Sequence, residues 1–208
     1  MCFRNIKLIV GLANPFIKYH HTRHNVGSWF VQRLASFYKK VLKEDKRFLG
    51  YTGSLFQSNS KVLLFIPNVF MNVCSRSIMI ISNFYHIRSD ELLVAHDELD
   101  LEPGLVRFKF GHGHNGHNGV RNIIDVLTKK NNFLRIQIGI GRPKEIFEIS
   151  NFVLSPPTLN EKNLIEKSIH RAVHATNILI QEKHTLTAQD FLKNFNVIDV
   201  LSSKELKF

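Results

Sequence analysis

KLIVGLANPFIKYHHTRHNVG, residues 7–27, holds the pattern from which the architecture can be argued. Leu8, Ile9 and Val10 form an apolar run of strand length and strand composition. Gly11, Asn14 and Pro15 interrupt it. A polar loop follows, carrying Tyr19, His20, His21, Thr22, Arg23, His24 and Asn25. Beyond it Val26, Phe30, Leu34, Phe37 and Val41 fall on one face of a predicted helix, with Asn25 as its N-cap. A buried strand and a helix would thus hold the polar loop between them, and loops on such scaffolds are where chemistry is usually carried.

The alternation continues outward. Residues 49–57 and 61–66 read as two strands around Ser58-Asn59-Ser60, the second ending at Pro67. A helical pattern follows, with Ile78, Ile81, Phe84 and Tyr85 on its apolar side. Residues 92–95 form a short buried strand ending in His96-Asp97-Glu98-Leu99-Asp100, a polar cluster where α/β folds commonly carry a site. In 105–110, Val106, Phe108 and Phe110 alternate with Arg107 and Lys109. Those two cations would lie about 7 Å apart, matching successive phosphates; a solvated strand face is an equal alternative. GHGHNGHNG, residues 111–119, leads into a helix burying Val120, Ile123, Ile124 and Leu127. Residues 134–141 read as a half-buried strand, with Arg135 and Gln137 on its polar side. Thr158 and Glu161 form a capping box for a helix to about Glu182, and a shorter helix spans 187–194. The expectation is a single α/β domain over 1–195, a central mixed twisted sheet with helices on both faces, and a loosely held tail at 196–208.

The 28 Lys+Arg against 17 Asp+Glu give a formal net charge of +11, which points to an acidic partner: RNA, DNA or an anionic membrane. General solubility charge is the bland alternative. Cys2 and Cys74 make no disulfide framework, so a reducing compartment is expected. The start has too short an apolar run for a signal peptide, and no run approaches a membrane span.

Three chemistries compete. His112, His114 and His117 nearly match a metallohydrolase pattern, but Gly116 stands where the pattern needs Asp. A covalent mechanism lacks a nucleophile elbow, and Cys74 lies in an apolar helix pattern. The third is a His–carboxylate pair that activates water, His24 with Asp97, made attractive because Asn14, Asn72 and Asn118 also fall in loops, where their amides can donate and accept.

At these residues the chain resembles the bacterial-type peptidyl-tRNA hydrolases. The matching stretches are IKLIVGLANP and TRHNVG within 6–27, FMN at 70–72, LLVAHDELDLEPG at 92–104, RFKFG at 107–111, GHNG at 116–119, RIQIGIGRP at 135–143 and FVL at 152–154. The resemblance implies a cytoplasmic, monomeric enzyme with no metal or organic cofactor. It would hydrolyse the ester joining a peptide to the 3′-terminal ribose of tRNA, binding neither DNA nor membrane. It implies His24 as the base activating water and Asp97 as the group orienting it. Asn14 and Asn72 would hold the substrate and its developing oxyanion, and Asn118 the water or the tRNA end. Tyr19 and Met71 would line the site, and Arg107 and Lys109 would contact tRNA phosphates. The chain departs from the family pattern at Phe16 and Ser155, where glycine is usual, at Cys74-Ser75, at His112 and Asn115, and at Gln137, where a basic residue is common. A non-catalytic RNA-binding module on the same fold is the alternative from another class.

Overall fold

The computed structural model describes residues 6–57, 60–111, 113–127, 132–181, 195 and 198–199. Cys2, His112, the helix expected at 187–194 and most of the expected tail lie outside these residues. The described elements run β1 (Leu8–Gly11), α1 (Val26–Phe37), β2 (Lys43–Asp45), β3 (Gly50–Gln57), β4 (Ser60–Pro67), α2 (Cys74–Phe84) and β5 (Leu92–Glu98). They continue with β6 (Leu105–Phe110), α3 (Asn118–Val126), β7 (Leu134–Gly139), α4 (Ile149–Val153), α5 (Leu159–Gln181) and β8 (Ile198–Asp199). The strands form one eight-stranded sheet in the order β2-β3-β4-β1-β5-β7-β6-β8. β4, β1, β5 and β7 run parallel, and the flanking strands pair antiparallel, so the sheet is mixed as expected.

Apolar side chains leave both faces of the central strands, as parallel strands between helices require. On one face Ile9, Leu93 and Ile136 pack with Phe30 and Leu34 of α1 and with Ile165, Ile169 and Val173 of α5. On the other, Leu8, Val10 and Val94 pack with Ile78 and Ile81 of α2 and with Val120 and Ile123 of α3. This confirms an α/β fold with helices on both faces. Among the described residues no helix is long and apolar enough to cross a membrane.

Four local expectations need correction. α1 stops at Phe37, which is 44% exposed, and Val41 is 77% exposed, so the buried stripe runs instead through Val31 and Ala35. The charged edge strand β2 carries no apolar signal and was not expected. β5 continues through His96, Asp97 and Glu98 with every residue buried, so the first three residues of the polar cluster lie within the strand and only Leu99 and Asp100 follow it. β7 is buried on both faces, because Gly111 and Gly113 turn their carbonyls onto the Arg135 guanidinium and Glu98 receives Gln137. Of the expected tail, Ile198 and Asp199 pair with Val106 and Leu105 of β6.

Candidate active site

The parallel strands β1, β4 and β5 all deliver their following residues to one edge of the sheet, the usual place for a site in such folds. There a cleft of about 530 Å³ opens. Asn14, His24, Met71, Asn72, Asp97 and Asn118 line one part, and Ile146, Phe147, Ile149, Val153 and Leu154 line another.

Two glycines permit this convergence. A Cβ on Gly27 would strike the Ala95 carbonyl, so only glycine lets the start of α1 approach β5 and bring His24 to Asp97. A Cβ on Gly119 would lie 2.8 Å from Met71 Cγ and Sδ, so glycine lets α3 seat against the 71–73 turn.

His24 Nδ1 lies 2.8 Å from Asp97 Oδ1 and 3.0 Å from Oδ2. An imidazole in that position donates Nδ1–H to the carboxylate, and a neutral ring then carries its lone pair on Nε2. Nε2 has no hydrogen-bond partner among the described residues, and the ring lines the cleft. His117 supplies a second donor. Val120 N–H donates to His117 Nδ1 at 3.2 Å, which fixes the other nitrogen as the one bearing hydrogen. His117 Nε2–H therefore donates to Asp97 Oδ1, at 2.9 Å. His117 is thus both the N-cap of α3 and the second ligand of Asp97. The signal missed in the sequence was its place one residue before a helix start, where a capping side chain has a fixed direction.

Burial pushes the Asp97 carboxyl upward, but the electrostatic attraction and hydrogen bonds of the His24 and His117 imidazoles outweigh it and hold the carboxyl well below its usual range. Burial likewise lowers His24, yet the Asp97 carboxylate and its hydrogen bond prevail and raise it above 6.5. His96, fully buried behind them, is driven well below 6.5 by burial and then by His117, so it stays neutral. Its Nδ1–H donates to the Asp97 carbonyl at 2.6 Å.

Asn14 is fixed on three sides. Its N–H donates to Asn25 Oδ1 at 2.8 Å, its carbonyl accepts from Asn25 Nδ2 at 3.0 Å, and its Oδ1 accepts from Met71 N–H at 2.9 Å. With Oδ1 committed, Asn14 offers the cleft its Nδ2–H₂ donors. Asn25 stands at the N-cap position of α1, but its side chain does not cap the helix; it is spent on Asn14. The structure thus replaces a helix-capping role with a loop-holding one.

Arg23, 5% exposed, anchors the loop that carries His24 to the cleft's far wall. Its guanidinium donates to Ser155 Oγ, Pro156 O and Glu161 Oε2, each at 2.8 Å, and lies 4.2 Å from the Phe152 ring centroid. Ser155, where the family pattern has glycine, thereby gains a defined partner. Phe16 adopts φ 71 and ψ 141, a glycine-type conformation that costs a bulky residue about 1–3 kcal/mol.

The other expected site residues divide. Met71, Asn72 and Asn118 line the cleft, whereas Tyr19 is not among its lining residues; its ring carries Lys18 Nζ 4.9 Å from the centroid. Arg107 and Lys109 sit half-buried on β6, two strands from β5. Arg107 Nε donates to Gln137 Oε1 at 2.8 Å, and burial followed by Arg135 and Arg107 lowers the Lys109 ammonium. Gln137 Nε2 and Asn115 Nδ2 both donate to Glu98 Oε2, so these two departures from the family pattern form one polar link running from the sheet to the exposed loop.

His24, Asp97 and His117 could offer three metal-ligand atoms within 4.8 Å of one another. As found, these atoms are joined by hydrogen bonds, and a cation would have to replace both shared protons. The three-histidine alternative fares less well. His114 Nδ1 accepts from Gly116 N–H at 3.1 Å and both His117 nitrogens are committed.

Known proteins resemble this chain over most of its length. Residues 8–199 match the family model described as peptidyl-tRNA hydrolase. A peptidyl-tRNA hydrolase of Pectobacterium atrosepticum is 48% identical over 178 residues, covering 86% of this chain and 91% of the relative. One from Buchnera aphidicola subsp. Cinara cedri is 46% identical over 193 residues, covering 93% and 97%. The crystal structure of peptidyl-tRNA hydrolase from Acinetobacter baumannii superposes with a TM-score of 0.86 at 39% identity, covering 94% of this chain and 97% of that one.

Proposed function

The chain belongs to the peptidyl-tRNA hydrolase family, and on that premise we propose that His24 activates the water by which it hydrolyses peptidyl-tRNA. The reaction severs the ester between a peptide's C-terminus and the 3′-terminal ribose, returning free tRNA to translation. His24 Nε2 takes a proton from water as the hydroxide oxygen adds to the ester carbonyl. Asp97 holds the ring in the required tautomer and stabilises the imidazolium that forms, and His117 holds Asp97. Asn14 Nδ2–H₂ donates to the developing oxyanion, a contribution of about 3–4 kcal/mol for a well-placed donor. The tetrahedral adduct then expels the ribose oxygen, which receives the proton from His24. The products are a peptide acid and tRNA with a free 3′-hydroxyl. Asn72 and Asn118 hold the substrate and the water at the rim, and Met71 supports them from the wall.

The observation that carries this reading is the His24–Asp97 pair at 2.8 Å beside Asn14 in an open cleft. Arg107 and Lys109 would bind tRNA phosphates, giving sequence-independent affinity that salt weakens. The same reading makes the protein a cytoplasmic monomer acting without a metal, on tRNA and not on DNA or membranes. The test is peptide release from purified peptidyl-tRNA, with and without chelator. His24→Ala should lower kcat by about 10²- to 10⁴-fold while tRNA binding persists. A near-normal rate in that variant, or loss of wild-type activity on chelation, would overturn it.

A further inference from the structure

A second cleft, about 570 Å³, opens beside the first. The two share their walls: Asn14 faces one and Phe16 the other, and Met71 faces one while Phe70 and Val73 face the other. The second is lined mainly with exposed apolar groups, with His20 and Asn68 among them: Ile17 is 82% exposed, Phe16 59%, Val73 48%, Phe70 47% and Tyr51 39%. Phe16 reaches the groove from its glycine-type backbone conformation and meets Phe70 edge-on, with ring centroids 5.6 Å apart and planes at 63°. Nothing in the packing of the core needs that exposed ring.

Strand order sets what this groove can hold. β5, carrying Asp97, lies near the middle of the sheet. Arg107 and Lys109 are on β6, two strands to one side; Tyr51 is on β3, three strands to the other. At about 4.8 Å per strand, the cations and the aromatic groove flank the ester site at roughly 10 and 14 Å. No Lys or Arg is among the described residues lining the groove. A nucleotide there would leave its phosphates without a Lys or Arg partner from the groove.

We propose that this groove is a subsite for apolar side chains of the substrate's peptide, upstream of the residue esterified to the ribose. This inference rests on the peptidyl-tRNA reading above. RNA then occupies the cationic flank and peptide the aromatic one, with the ester between them.

The experiment compares two substrates on the same tRNA: one N-acetylated amino acid and one tetrapeptide rich in Leu and Phe. The wild type should give the higher kcat/KM with the tetrapeptide. Phe16→Gly and Ile17→Ser should each reduce that value about five- to twentyfold, as expected for loss of one well-buried apolar contact. Both variants should leave the single-residue substrate and the affinity for deacylated tRNA unchanged. Phe16→Gly relieves the backbone, so its Tm should not fall. Equal losses on both substrates, weaker binding of deacylated tRNA, or no wild-type preference for the tetrapeptide would overturn the subsite. Wild-type hydrolysis of the single-residue substrate tests the parent reading separately, and its absence would overturn both.

Discussion

The Asp97 cluster and the β6 strand face lie two strands apart, and both are polar, yet they are built in opposite ways. Around Asp97 the geometry is over-determined: one carboxylate oxygen receives two imidazoles, and the tautomer of His117 is fixed by its contact with Val120 N–H. On β6, Arg107 and Lys109 are half-buried, and Arg107 is tied to a neutral amide. Proton transfer to a single atom needs distances fixed to tenths of an ångström. Holding a polyanion needs charge of the right sign at about the right spacing. The difference predicts steep losses at the first region and graded ones at the second.

The contrast would be broken first at Asn14. Asn14→Ala should lower kcat by about 10²- to 10³-fold with little change in KM, because a donor to the oxyanion acts in the transition state. Steady-state kinetics showing a change in KM alone would move Asn14 to ground-state binding. A loss of about tenfold is expected from His117→Ala, since Asp97 keeps one of its two imidazole donors; helix stability should fall by about 1 kcal/mol with the lost cap. His117→Asn separates these effects: an Asn cap should restore the Tm without restoring the rate. The smallest effect belongs to the strand face. Arg107→Ala with Lys109→Ala should weaken tRNA binding several-fold and flatten the slope of log K against log salt by about one to two units, leaving kcat intact. An unchanged slope would put the RNA on another surface.

Much of this molecule could be read from its sequence because hydropathy marks apolar strands and helix stripes. Leu8-Ile9-Val10, the antiparallel pair β3–β4 and the Ile78–Ile81 stripe all fall where pattern expects them. Hydropathy fails where polar residues are buried. His96, Asp97 and Glu98 look like a loop, yet β7 and the glycine-rich segment cover them, so β5 runs on. Arg135 and Gln137 look solvated and are enclosed for the same reason. Side-chain purpose was harder still. Asn25 has the identity and position of a helix cap, but only the fold brings Asn14 within reach of it. The partnership of His117 with Asp97 spans separate elements; its place before the α3 start marks the cap, but only the fold brings Asp97 to the ring. That Asn14, His24, Met71, Asn72, Asp97 and Asn118 would share one cleft was legible chiefly through the family motifs, which carry tertiary information that composition lacks.

The pairing of His24 with Asp97 is most directly tested by kcat/KM against pH for the wild type and Asp97→Asn. The base must be neutral, so wild-type activity should rise with pH through a His24 pKa above 6.5, where the carboxylate holds it. Without that charge, burial of the ring remains, so in Asp97→Asn the rise should move below 6.5 and the plateau should fall by about 10²- to 10⁴-fold. An unshifted rise, or an undiminished plateau, would contradict the account.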